Sequence, residues 1–97
     1  MANYIGDIVH AGLTFSNITT AATTAIKTGL GVLHTLTVNT KGSGSTATIY
    51  DNTAGSGTKI ATVDTATAPI TFTYDAKFST GLTVVTVGTA DLTITYR

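Results

Sequence analysis

Threonine occupies 24 of the 97 positions, and no other feature limits so tightly what this chain can fold into. Its β-branched side chain favours an extended backbone, and its hydroxyl lets it face water where valine would be costly. Residues that support helices are scarce, with four lysines, one arginine and no glutamate. Even the run Thr19 to Thr24, which contains two alanines, holds four threonines in six positions and makes a poor helix. It reads instead as the entry to a strand. The chain is expected to be built of strands with threonine on the wet face.

Alternation places those strands. In Val32-Leu33-His34-Thr35-Leu36-Thr37-Val38 a period of two puts Val32, His34, Leu36 and Val38 on a core face and Leu33, Thr35 and Thr37 on the other. Pro69-Ile70-Thr71-Phe72-Thr73-Tyr74 alternates with Ile70, Phe72 and Tyr74 inward, and its proline stands at the strand start, where a missing N–H is tolerated. Leu92-Thr93-Ile94-Thr95-Tyr96 repeats the pattern. Thr46 to Tyr50, Lys59 to Asp64, Leu82 to Val87 and Ala22 to Thr28 bring the count to seven, and Ile5 to Phe15 adds an eighth strand or an extended arm. Short strands separated by Gly, Ser, Asn and Asp clusters predict an all-β fold: an antiparallel β-sandwich, jelly-roll-like, of seven or eight strands. Residues 20–97 form the sandwich domain, and residues 1–19 are the N-terminal arm or extra strand.

A chain of this length builds one domain with one core, hiding roughly two-thirds of its unfolded surface. Cysteine is absent, which removes disulfides, thiolate metal sites and cysteine nucleophiles together. Five basic residues balance five aspartates, and Lys27, Lys41, Lys59, Lys77 and Arg97 are scattered singly along the sequence. That is no basic stripe for nucleic acid. Sparse charge and a mean hydropathy of +0.31 favour association with copies or with another protein. The first residues lack the basic and apolar regions of a secretory leader. No apolar stretch approaches the roughly 18 residues of a membrane helix, so a soluble protein is expected.

Each chemistry-bearing motif in the chain has a structural alternative. Gly55-Ser56-Gly57-Thr58-Lys59 has the composition of a phosphate loop without its spacing, and Lys59 to Asp64 continues as a strand rather than as the helix whose N–H groups would hold the anion. A plain hairpin turn with permissive glycines is the better reading. His34 lies among apolar strand residues and reads as a partly buried histidine with one hydrogen bond, and His10 has no partner at ligand spacing. Asp51, Asp64, Asp75 and Asp91 each read as strand-end residues bonding turn N–H groups. No loop carries the spaced Asp/Asn pattern of a calcium site, so no metal and no cofactor is expected. There is no Gly-x-Ser-x-Gly elbow, and nothing marks a cleft with paired carboxylates. Phe72, Tyr74 and Tyr96 alternate with threonine as core or interface residues, whereas Tyr4, Phe15, Tyr50 and Phe78 fall near turns or on the arm. Asn17-Ile18-Thr19 matches a glycosylation acceptor by chance. No catalytic residue is assigned and no enzyme is expected.

Three runs carry a resemblance: Thr24 to Asn39, "TAIKTGLGVLHTLTVN"; Ser45 to Asp64, "STATIYDNTAGSGTKIATVD"; and Phe78 to Arg97, "FSTGLTVVTVGTADLTITYR". Over residues 20–97 the chain resembles the small β-sandwich head-decoration, or cement, proteins of tailed bacteriophages. The phrases Gly31-Val32-Leu33-His34, Ile49-Tyr50-Asp51, Gly57-Thr58-Lys59-Ile60 and Phe78-Ser79-Thr80-Gly81-Leu82 occur in order. Where relatives often place proline in the turn, this chain has Gly29-Leu30-Gly31. The resemblance implies a non-enzymatic virion protein, made in the host cytoplasm, that binds the major capsid protein on the outside of the head as a homotrimer. It implies no nucleic acid, membrane or small-molecule substrate. The segment before the sandwich would contact coat or neighbour through Tyr4, Ile5, Ile8, Val9, Leu13 and Phe15. The alternative is a receptor- or glycan-binding module of a tail or head fibre.

Overall fold

The computed structural model describes residues 12–97. Eight strands run β1 Thr14–Ile18, β2 Thr23–Thr28, β3 Gly31–Thr40, β4 Thr46–Asp51, β5 Thr58–Asp64, β6 Ile70–Phe78, β7 Gly81–Val87 and β8 Asp91–Tyr96. They form two four-stranded sheets, ordered β1-β8-β3-β6 and β2-β7-β4-β5, with every neighbouring pair antiparallel. In both sheets the outermost strands pair inward, β1 with β8, β2 with β7, β3 with β6 and β4 with β5. This is the strand order of a jelly roll: a long hairpin of four strands against four, folded over into a sandwich. No helix among the described residues is long and apolar enough to cross a membrane.

The expected strands are all present, with ends moved by a few residues. The eighth lies at Thr14–Ile18, later than Ile5 to Phe15, and pairs in register with β8 from Thr14 opposite Tyr96 to Ile18 opposite Leu92. The segment set apart as residues 1–19 therefore includes an edge strand of the first sheet. Residues 1–11 lie outside the described part.

The core fills the space between the sheets. Leu33, Leu36, Val38, Phe78, Leu92 and Ile94 enter it from the first sheet, and Ala47, Ile49, Val63, Leu82 and Val84 from the second. Each fully buried large apolar side chain contributes about 1.5–3 kcal/mol relative to exposure. Phe78, which the sequence places near a turn, is wholly buried. Its ring lies beneath Gly31, its register partner, where a Cβ would run into both the ring and the Arg97 carbonyl. Phe72, Tyr74 and Tyr96 pack against the core from its margin, but Ile70, expected inward, is half exposed at the first position of edge strand β6.

Simple alternation fails in β3. Leu33 is buried with Leu36 and Val38, while His34 stands only partly covered. The ladders supply the reason. Along β8, Leu33 faces Tyr96 and Thr35 faces the very next residue, Thr95, so His34 is an extra residue; along β6, His34 alone faces Tyr74 and Asp75. Such a bulge changes which side of the sheet the following residues address. Asp75 adopts a positive φ of 47° at this point and its carboxylate meets the His34 imidazole. Asp75 is thus a bulge residue inside a strand, and not the strand-end residue expected from sequence.

Beyond the bulge, threonine does what its chemistry suggests. On the outer face of the first sheet Thr95, Thr35 and Thr73 stand in one row across β8, β3 and β6, and Thr93, Thr37 and Thr71 in the next. Hydroxyls of Thr35 and Thr95, and of Thr37 and Thr71, bond across the strands, pairs of a kind that contribute about 0.2–1 kcal/mol each. Other threonines are interior. Thr86, buried, accepts from the Ala22 N–H through its hydroxyl at 3.0 Å, and Thr83, also buried, donates to the Asn52 carbonyl at 2.8 Å.

Candidate functional site

The stretch with phosphate-loop composition is a turn. Residues 52–57 join β4 to β5, with Gly57 at a φ of 95° and the Asn52 amide donating to the Ser56 carbonyl at 2.6 Å. Gly55 serves packing instead, because a Cβ there would press on Val85. Lys59 lies exposed in β5, and among the described residues no helix N-terminus faces the turn.

The aspartates do not converge. Among the described residues no three His, Cys, Asp or Glu side chains could hold a metal ion together. Asp64 caps its own turn, accepting from the Ala66 N–H at 2.8 Å and the Thr67 hydroxyl at 2.6 Å, and these bonds hold its pKa below the ordinary carboxylate value. Asp91 accepts from the side-chain amides of Asn17 at 2.7 Å and Asn39 at 3.1 Å, which tie β1 and β3 to β8 and lower its pKa. Asp51 reaches much further along the chain. Its carboxylate receives the N–H groups of Thr80 at 2.8 Å, Ser79 at 3.0 Å and Gly81 at 3.3 Å, and its pKa is lowered chiefly by Thr80 and then by Ser79. The turn it holds is the passage from β6 in the first sheet to β7 in the second.

Of the residues expected at an interface, Tyr4, Ile5, Ile8 and Val9 lie outside the described part. Leu13 is half-buried just before β1, and Phe15, on β1 itself, is 68% exposed. Leu30, Ile70 and Val87 are the other large apolar side chains left in the open among the described residues.

Concavity and charge come together at one end of the sandwich. A pocket of about 430 Å³ opens there, lined by Lys27, Lys77 and Arg97 together with Leu30, Val32 and the glycines beside them. The first sheet builds most of it. Val32 faces Lys77 in the β3–β6 ladder, and on its other side exchanges both backbone bonds with Arg97, donating to the Arg97 carbonyl at 2.8 Å and accepting from its N–H at 3.0 Å. Residues directly opposite in a ladder share a face. Lys77 and Arg97 therefore flank Val32 on the same side of the sheet, roughly 5 Å away on either hand at the usual strand spacing. The third cation comes from the second sheet. A bulge at Ile26 places Lys27 opposite core-facing Leu82, near the end of β2, from which a short turn crosses to β3 in the first sheet.

Three of the chain's five basic side chains thus line one pocket, and among the described residues no acidic side chain lines it. The sequence scatters these residues; antiparallel pairing collects them. Among the described residues no carboxylate pairs with Lys27 or Lys77. At the same end of the molecule the Asp51 carboxylate is turned to the Ser79–Gly81 N–H groups.

Comparison with family models, with characterised proteins and with solved structures finds no match to this chain.

Proposed function

We propose that this protein is a non-enzymatic structural component of a tailed-phage virion, a decoration protein that binds the outside of the head, assembles as a homotrimer and stabilises the coat lattice. The three sequence runs resembling cement proteins support this reading, and the jelly-roll order agrees with the fold that the resemblance implies. The observation that carries it is the placing of exposed apolar side chains on open strands. Phe15 stands 68% exposed on edge strand β1, and Ile70 half exposed on edge strand β6. An edge strand with apolar side chains in water is a template for a partner, and association closes it.

The mechanism is mass action. A protein that binds the mature shell but not the loosened one stabilises the bound state by RT ln(1 + [L]/Kd), about 2.7 kcal/mol per site at a hundredfold excess over Kd. Repeated over a lattice, a modest affinity resists heat and internal pressure without any chemistry.

The test is co-sedimentation with purified mature capsids lacking decoration, together with the heat resistance of the loaded particles. Saturable binding that raises the capsid's melting midpoint is expected, with weaker binding by Phe15→Ser. Absence of binding to any head, or labelling of the tail in a low-resolution map of the particle, overturns the assignment. Deletion of residues 1–11 removes none of the eight described strands, so it asks separately whether the leading segment contributes to contact.

A further inference from the structure

We propose that copies of this chain join head to tail through the first sheet, β1 of one copy pairing antiparallel with the opening half of β6 of the next. The inference rests on the homotrimer of the proposed function and names the surface that builds it. Both strands are edges, and among the described residues no backbone bond reaches their outer sides. Thr14–Ile18 in β1 and residues 70–74 in β6 are equal in length, and neither stretch carries a charged side chain. Beyond Tyr74 the bulge at Asp75 and then Lys77 end the bare part of β6, and Pro69, which lacks an N–H, ends it on the other side. The second sheet treats its edges differently. There β2 carries Lys27 and a bulge at Ile26, while β5 carries Lys59 and Asp64 and holds an extra residue, Ile60, against β4. Charges and bulges of this kind keep an edge from accepting a foreign strand.

Direction and register agree with such a contact. Strands alternate in direction across the first sheet, so β1 and β6 run opposite ways. A copy turned about an axis along the strands therefore brings its β1 antiparallel to its neighbour's β6. The contact joins two different surfaces, the kind of interface that generates a ring. Setting Ser16 opposite Phe72 of the next copy pairs all five positions without a gap: Thr14 with Tyr74, Phe15 with Thr73, Asn17 with Thr71 and Ile18 with Ile70. Faces are kept as well, because side chains alternate along both strands. Phe15 and Asn17 share the outer face with Thr95 and Thr93, and Thr73 and Thr71 share it through Thr35 and Thr37. Ile18 and Phe72 both turn to the core. The half-exposed Ile70 then lies beside the neighbour's Ile18, and the exposed Phe15 beside the neighbour's Thr73, so the apolar side chains on both edges gain cover.

The pairing is tested by cross-linking and sedimentation of the full chain. Cysteine is absent from the sequence, so introduced thiols are unique. Within one copy β1 and β6 lie three strand spacings apart, roughly 14 Å, too far for a disulfide. Oxidation of a mixture of Phe15→Cys and Thr73→Cys should therefore give dimers between the two variants, and neither variant alone should cross-link. The double variant Phe15→Cys, Thr73→Cys should close into a covalent trimer. Thr73→Lys, on the exposed face of edge strand β6, should weaken association by roughly tenfold or more with an unchanged circular dichroism spectrum, whereas Thr62→Lys on edge strand β5 should leave it unaltered. Deleting residues 1–11 should leave the trimer intact. A trimer that fails to form the Phe15→Cys–Thr73→Cys bond, or that is lost in Thr62→Lys and kept in Thr73→Lys, overturns the pairing and leaves the homotrimer standing. Loss of the trimer on deletion assigns the edge to the leading segment and also overturns the pairing. A parent chain that sediments as a monomer at every concentration overturns the pairing and the homotrimer together.

Discussion

At the scale of the residue, the consequences follow from where single polar atoms end up. The hydroxyl of Thr65 is buried with no hydrogen-bond partner among the described residues, although the Thr65 backbone is paired with Ser45 and Gly42. A buried hydroxyl without a partner carries its desolvation cost uncompensated. Thr65→Val keeps the shape and removes that group, so it should raise stability by about 1 kcal/mol, read as a later midpoint in urea unfolding. Asp51 presents the opposite case. Its pKa is lowered from 3.8 by the N–H groups of the β6–β7 turn. A depressed carboxylate stabilises the fold above its unfolded pKa, and that contribution is lost as pH falls through the lower, folded value. Asp51→Asn should melt earlier than the parent near neutral pH. The gap between the two should close as pH drops below about 4, because protonation removes from the parent what the substitution removes from the variant.

At the scale of the element, the strands were legible because threonine and apolar residues alternate, and turn residues separate one run from the next. Leu92 and Ile94, and Thr93 and Thr95 that alternate with them, fall on the sides that period two assigns. The reading broke where two ladders are out of step. At His34 one strand holds a residue more than its neighbour, and this is fixed by β6 and β8, distant in sequence, and not by β3 alone. No periodicity inside β3 could reveal it. Aspartate at a positive φ is the local trace, since Asp and Asn enter that region more readily than branched residues, but Asp75 also looks like any turn-prone residue. The bulge assigns unequal weights to adjacent positions. Leu33→Ala should cost about 2–5 kcal/mol in chemical unfolding, as for a large core side chain. His34→Thr should change stability by no more than about 1 kcal/mol, whereas strict alternation would reverse the order.

At the scale of the whole molecule, the fold class could be anticipated but the pocket could not. A sandwich follows from the number and length of the strands, whereas the meeting of Lys27, Lys77 and Arg97 depends on which strands become neighbours and in what register. Single lysines spaced far apart carry no signal of convergence. The Val32 row, with Lys77 on one side and Arg97 on the other, exists only once β3 lies between β6 and β8.

The strand order has one more effect, on how the protein comes into being. Each of the six ladders joins a strand from β1–β4 to one from β5–β8, and none joins two strands of the same half. The first half to leave the ribosome therefore waits without a single native ladder between its described strands, and the second half acts as its template strand by strand. Two pieces made separately, divided in the turn between Thr53 and Ser56, should each give the circular dichroism of an unstructured chain. Mixed, they should recover the sheet signal in a concentration-dependent step, and the protein would then serve as a reporter that assembles only when its two halves meet.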